Sequence, residues 1–160
     1  AQKLKGLKAV FPNVQDPDAV EVTADDLRRL QQEEFLNDTL IDLWLKKFLQ
    51  NNQVDLERFY FFNSFFYKKL KVQGAQMHEG VRRWTKNVDI FTKDYLVVPI
   101  HDELHWSLAL VCFPGSIGDP DRQPAILHLD SLKGMHNLAR VKKLLLKYLA
   151  EEWRHKKQSA

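Results

Sequence analysis

Pro99-Ile100-His101-Asp102-Glu103-Leu104-His105-Trp106-Ser107-Leu108-Ala109-Leu110-Val111-Cys112-Phe113 and, beyond a linker, Ala125-Ile126-Leu127-His128-Leu129-Asp130-Ser131 are the phrases on which the fold turns. Trp106 to Phe113 is a short apolar run, rich in strand formers and stopped by Pro114-Gly115, so it reads as a strand. Ala125 to Leu129 reads as a second strand, because the segment from Pro114 to Pro124 is filled with Gly, Pro and Asp. If that linker reverses the chain, the strands pair antiparallel and the start of the first lies beside the end of the second. His105 then neighbours Asp130. Opposed Cα atoms lie about 4.5–5.5 Å apart. A carboxylate at that distance can accept a hydrogen bond from the imidazole, fix its tautomer and stabilise its cation. Spacing alone leaves a plainer reading open: a His beside a Trp at a strand mouth also serves structurally, and an Asp at a strand end also caps a turn.

Upstream, Leu96-Val97-Val98-Pro99-Ile100 is continuously apolar, and with Trp106 to Phe113 it has the two apolar faces of central strands covered on both sides. His101 to His105 reads as a loop entering the strand. Downstream, Asn137 caps a helix to about Trp153 with Leu138, Val141, Leu144, Leu145, Tyr148 and Leu149 in one stripe, and 154–160 is a charged, flexible tail. Residues 1–20 form an extended arm, leaving 21–153 as the folded domain. Thr23 caps a short helix ending near Leu30, and Asn37 caps a core helix burying Leu40, Ile41, Trp44, Leu45 and Phe48, with Lys46 and Lys47 outward. Phe59 to Phe62 is a brief strand, Ser64 caps a helix through Leu70 that buries Phe65 and Phe66, and 71–80 is a polar loop. Val81 to Trp84 is a helical turn that buries Trp84 and leaves Arg82 and Arg83 for solvent or an acidic partner.

The chain has 160 residues, 44% of them hydrophobic, enough for one domain with a sizeable core. No apolar run approaches the roughly 18–20 residues that span a bilayer, and Ala1 to Lys5 lacks a signal-peptide pattern, so neither membrane insertion nor secretion is expected. The single cysteine suits a reducing compartment. A net charge of +3, with Lys and Arg interleaved among Asp and Glu, gives no basis for nucleic acid as a partner.

Phe35-Leu36-Asn37-Asp38-Thr39-Leu40-Ile41-Asp42, Arg83-Trp84-Thr85-Lys86-Asn87-Val88-Asp89-Ile90-Phe91, Pro99-Ile100-His101 with His105-Trp106-Ser107-Leu108, and Leu129-Asp130-Ser131 occur in that order. Together they resemble the SUMO-specific cysteine proteases of the Ulp/SENP family, over nearly everything from Leu7 to Trp153. Phe at position 35 and the Leu129-Asp130-Ser131-Leu132-Lys133-Gly134 wording are most similar to the branch that prefers SUMO chains, including plant members. The resemblance implies an α+β, papain-like fold with a mostly antiparallel central sheet flanked by helices, here without its C-terminal part, which would leave apolar surface uncovered. It implies a deSUMOylating isopeptidase in the nucleus, or also in the cytoplasm, with His105 and Asp130 catalytic and no cofactor or metal. It implies SUMO, SUMO-conjugated proteins and the rest of the protease domain, on the same or a separate chain, as partners. Phe35 and Trp106 would wall a slot for the Gly-Gly tail of SUMO, and Asp38 would meet a basic residue of SUMO.

The nucleophile does not follow from these residues. Cys112 stands seven strand residues from His105, roughly 23 Å away, and the odd offset puts the two side chains on opposite faces. The family's Asp-Cys-Gly phrase, and the oxyanion-holding Gln before it, are absent from the 160 residues, so the chain alone is expected to be inactive. Other readings stay open. One is a module that binds SUMO or another ubiquitin-like protein without catalysis. Another is a metal hydrolase using His101, Asp102, His105 and Asp130. His128 shares strand parity with Asp130 and could rival His105 as its partner.

Overall fold

The computed structural model describes residues 6–52, 54–73 and 76–157, and the chain divides into two compact units, Ala1–Val54 and Asp55–Ala160. In the first, β1 (Lys8–Phe11) and β2 (Val20–Thr23) pair antiparallel, Lys8 opposite Thr23. The expected pattern-free arm therefore contains a strand, because β2 supplies the backbone partners that a lone extended segment lacks. Thr23 caps α1 (Ala24–Arg28) in a reciprocal capping box with Asp26. Asn37 caps α2 (Asp38–Asn51) by accepting from the Leu40 N–H at 3.1 Å, and its amide donates to Asp26 at 2.7 Å, joining the two helix starts. The expected burial of the α2 stripe fails in part: Leu40 is buried, whereas Trp44 and Phe48 are 67% and 44% exposed. Lys46, expected outside, is half-buried and pairs with Asp16 at 3.3 Å.

The second unit is built on a mixed sheet in the order β3-β4-β5-β6, from β3 (Phe59–Phe61), β4 (Tyr95–Asp102), β5 (His105–Cys112) and β6 (Ala125–Leu129). β3 runs parallel to β4, and both later pairings are antiparallel. Leu96, Val98, Ile100, Ala109 and Val111 share one face. They form a single buried cluster with Phe66, Tyr67 and Leu70 of α3 (Phe65–Gln73), Met77 and Val81 of α4 (Met77–Val81), and Val141, Leu145 and Tyr148 of α5 (Leu138–Lys157). The opposite face is closed over Val97 and Pro99 but opens toward β6, where Leu127 and Leu129 are 50% and 55% exposed. Coverage on both sides therefore holds for β4 and lapses across the sheet.

Five local expectations are corrected. His101 and Asp102 belong to β4, not to a loop, because Glu103 and Leu104 turn the chain in two residues with φ of 48° and 61°. Much of the expected polar loop 71–80 is helical: α3 runs to Gln73 and α4 begins at Met77, since Met77 and Val81, one turn apart, are both buried in the core; residues 74 and 75 lie outside the described residues. Phe65 is 42% exposed and Phe66 fully buried, with the Phe65 N–H taken by Asn63 Oδ1 at 3.1 Å. α5 continues to Lys157 instead of ending near Trp153, because Lys156 donates to the carbonyls of Thr85 and Val88 and Lys157 pairs with Asp89; residues 158–160 lie outside the described residues. Leu138, assigned to its stripe, is 53% exposed. Among the described residues no helix is long and apolar enough to cross a membrane.

Candidate active site

Three segments of the second unit meet at one end of its sheet. The tight turn at Glu103-Leu104 sets His105 opposite Asp102 at the first position of β5. β6 runs back along β5 with Leu108 opposite Leu129, and the chain leaves the ladder at Asp130. Counting along that register, the rung beyond Leu129 belongs to Ser107, so His105 and Asp130 are not opposed. They are diagonal neighbours on one face. Their side chains span the offset: His105 Nε2 lies 2.6 Å from Asp130 Oδ1. Both are mostly shielded, with side-chain exposures of 11% and 9%.

Asp130 also accepts from the Leu132 N–H at 2.9 Å and the His136 N–H at 3.2 Å. The hydrogen bond from His105 above all, together with these amides, holds its carboxyl at about 2 against the ordinary 3.8. It is therefore an anion at any physiological pH, and as a carboxylate it accepts a charge-assisted hydrogen bond from the imidazole N–H. With Nε2 committed to Asp130, Nδ1 is the ring nitrogen left for a reacting group. That arrangement suits proton transfer: the carboxylate fixes the tautomer and would offset the charge of an imidazolium.

The other sequence candidates fall in different places. His128 does not compete for Asp130: its Nε2 lies 2.8 Å from Ser107 Oγ, and burial above all holds its pKa below the usual histidine value, favouring the neutral ring. His101 is on the opposite face of β4 from Asp102, stacked on Trp106 at 4.3 Å between ring centroids. Asp102 pairs with Lys71; burial pushes its carboxyl up, and the Lys71 ammonium leads the several groups that turn the net shift downward. The set His101, Asp102, His105 and Asp130 thus fails to converge as metal ligands. The group that does converge among the described residues is His105, Asp130 and His136, with ligand atoms within 4.8 Å of one another. In that group His105 and Asp130 already bond to each other, so an ion would have to part them. Cys112 is buried at the far end of β5, and burial raises its thiol pKa. Arg82 and Arg83 are exposed, Arg82 pairing with Glu79 at 3.1 Å. Phe35 is 60% exposed, Asp38 is half-buried in the first turn of α2, and Trp106 is half-buried on β5.

Ser107 and His136 are the site residues that pattern reading misses. Ser107 shares strand parity with His105, a signal available in the sequence; His136 sits in a loop without periodicity. An apolar cleft of about 730 Å³, lined by Val111, Ile126, Leu149 and Trp153 among others, lies at the opposite end of β5 from His105.

Comparison with known proteins follows the same direction. A family model described as Ulp1 protease family, C-terminal catalytic domain, matches residues 34–160. The chain is 43% identical over 166 residues to the "Probable ubiquitin-like-specific protease 2B" of Arabidopsis thaliana, covering 90% of this chain and 17% of that protein. It is 38% identical over 120 residues to "Sentrin-specific protease 6" of Mus musculus, covering 66% and 11% respectively. Among solved structures it resembles the yeast C-terminal Ulp1 protease domain in complex with SMT3, the yeast ortholog of SUMO, with a TM-score of 0.69, 28% identity and coverage of 97% of this chain and 65% of that one. A de-sumoylating protease matches with a TM-score of 0.80 over 97% of this chain and 60% of that one; at 23% identity this likeness concerns the fold. The chain thus spans between about a tenth and a fifth of these curated relatives.

Proposed function

Since the chain belongs to the Ulp1 protease family, we propose that it supplies the histidine and aspartate of a deSUMOylating thiol protease that cleaves after the Gly-Gly tail of SUMO. The observation that carries this is the 2.6 Å bond from His105 Nε2 to Asp130, which leaves Nδ1 to meet a thiol. His105 takes the proton of a cysteine that these 160 residues do not contain and returns it to the leaving amine, while Asp130 offsets the imidazolium. Cys112 is not that cysteine, since strand parity turns it away and burial keeps it a thiol. Phe35, Asp38 and Trp106 are assigned to binding SUMO, and SUMO chains and the nucleus are the proposed substrate and setting. A fluorescent fusion excluded from nuclei would remove the last point.

A SUMO vinyl-sulfone probe, applied to these residues within their full reading frame, should form an adduct that His105→Ala abolishes. Residues 1–160 alone should form none, and an adduct that disappears with Cys112→Ala would overturn the assignment of that thiol. The competing reading is a SUMO-binding module without catalysis. Retained SUMO binding with no adduct from the full reading frame would establish it in place of the protease.

A further inference from the structure

Behind the His105–Asp130 pair lies a chain of hydrogen bonds that the proposed chemistry does not itself use. His136 Nε2 lies 2.8 Å from the backbone carbonyl of Asp102. His136 Nδ1 lies 2.7 Å from Ser107 Oγ, and the same hydroxyl lies 2.8 Å from His128 Nε2. His136 is only 6% exposed, and its ring centroid is 4.8 Å from that of His105.

The protons can be assigned by elimination. A carbonyl oxygen only accepts, so His136 Nε2 carries a hydrogen. In a neutral ring Nδ1 is then bare and takes the one hydroxyl hydrogen of Ser107. Oγ is left as an acceptor, which requires His128 Nε2 to donate. Every atom of the chain is satisfied with no charge on either ring. The arrangement clamps His136 at one edge by the end of β4 and at the other by β5. Its backbone N–H is thereby aimed at Asp130 Oδ2 at 3.2 Å.

We propose that Ser107 and His136 are positioning residues for the His105–Asp130 pair: they fix the loop that holds Asp130, acting through that pair and not on the substrate or the thiol. The proposal rests on the protease reading for its purpose, but its test does not. Long-range proton–nitrogen spectra of the histidine rings in this 160-residue chain need neither SUMO nor a nucleophile. A failed cleavage assay would leave this result standing, and the reverse also holds. In the unaltered chain, His136 and His128 should each show a proton on Nε2 and a bare Nδ1. In Ser107→Ala and in His136→Ala, the ring proton between His105 and Asp130 should exchange with water faster, by about ten- to a hundredfold, as expected for loss of two neutral hydrogen bonds. Ser107→Thr, which keeps the hydroxyl, should restore slow exchange. A bare Nε2 on His136 in the unaltered chain would overturn the proposal even if the variants failed to fold. Unchanged exchange in Ser107→Ala, with the backbone spectrum intact, would overturn it equally.

Discussion

At Asp130 an imidazole and two backbone amides converge on one carboxylate, and the acid is held at about 2 chiefly by His105. A carboxyl that binds its proton less readily folded than unfolded stabilises the folded chain in full above its unfolded pKa, and that contribution is lost as pH falls through the folded one. The window is thus from 3.8 down to about 2. Across it, Asp130→Asn should flatten the fall of the melting temperature with pH, and parallel curves for the two proteins would deny the pair its part in stability. The juxtaposition itself is readable from the sequence, since two strands joined by a turn-rich linker must bring one start to the other end. The rung is not. A ladder predicts neighbours in pairs, whereas Asp130 leaves it just after Leu129 and reaches His105 across a diagonal.

Among the elements, the β4–β5 turn and the end of α5 carry the least expected features. Leu104 occupies a left-handed conformation at φ 61° that glycine adopts more easily, and it is 68% exposed. Leu104→Gly should therefore raise stability by up to about 1 kcal/mol in urea unfolding, with His105 kept at its rung. A loss of stability would mean that the leucine side chain packs more usefully than its exposure implies. On α5, Glu152 follows Tyr148 on the buried face and is itself 0% exposed. His78 Nε2 at 2.6 Å and Thr85 Oγ1 at 2.7 Å satisfy its oxygens, with Lys156 Nζ at 3.8 Å. Glu152→Ala leaves those partners facing an empty site in the interior, and should lower stability by about 3 kcal/mol. The chemical denaturation midpoint checks this, and a neutral substitution would show the cluster to be dispensable.

For the molecule as a whole, stability of the second unit depends on one aromatic cluster between the sheet and its helices. Phe66 is fully buried, stacked on Phe62 at 3.7 Å between ring centroids and edge-on to Tyr148 at 4.9 Å. Phe66→Ala should cost about 3–5 kcal/mol, read as a shift of the urea midpoint. A cost below about 1 kcal/mol would mean the cluster collapses around the gap. By itself the sequence determined the strands β4 to β6 and the antiparallel pairing of β5 with β6, the caps at Thr23, Asn37 and Asn137, the placement of His105 beside Asp130, and the orientation of Cys112. Each of these follows from a period of two or 3.6 residues or from a turn, which are properties of a few consecutive residues. Only the tertiary structure decided that β4 runs through Asp102, that Glu152 is buried, and that a loop histidine at position 136 lies behind the pair. Those contacts join residues from three to 74 positions apart through sheet register and helix packing, and no local period encodes which carbonyl will meet which ring.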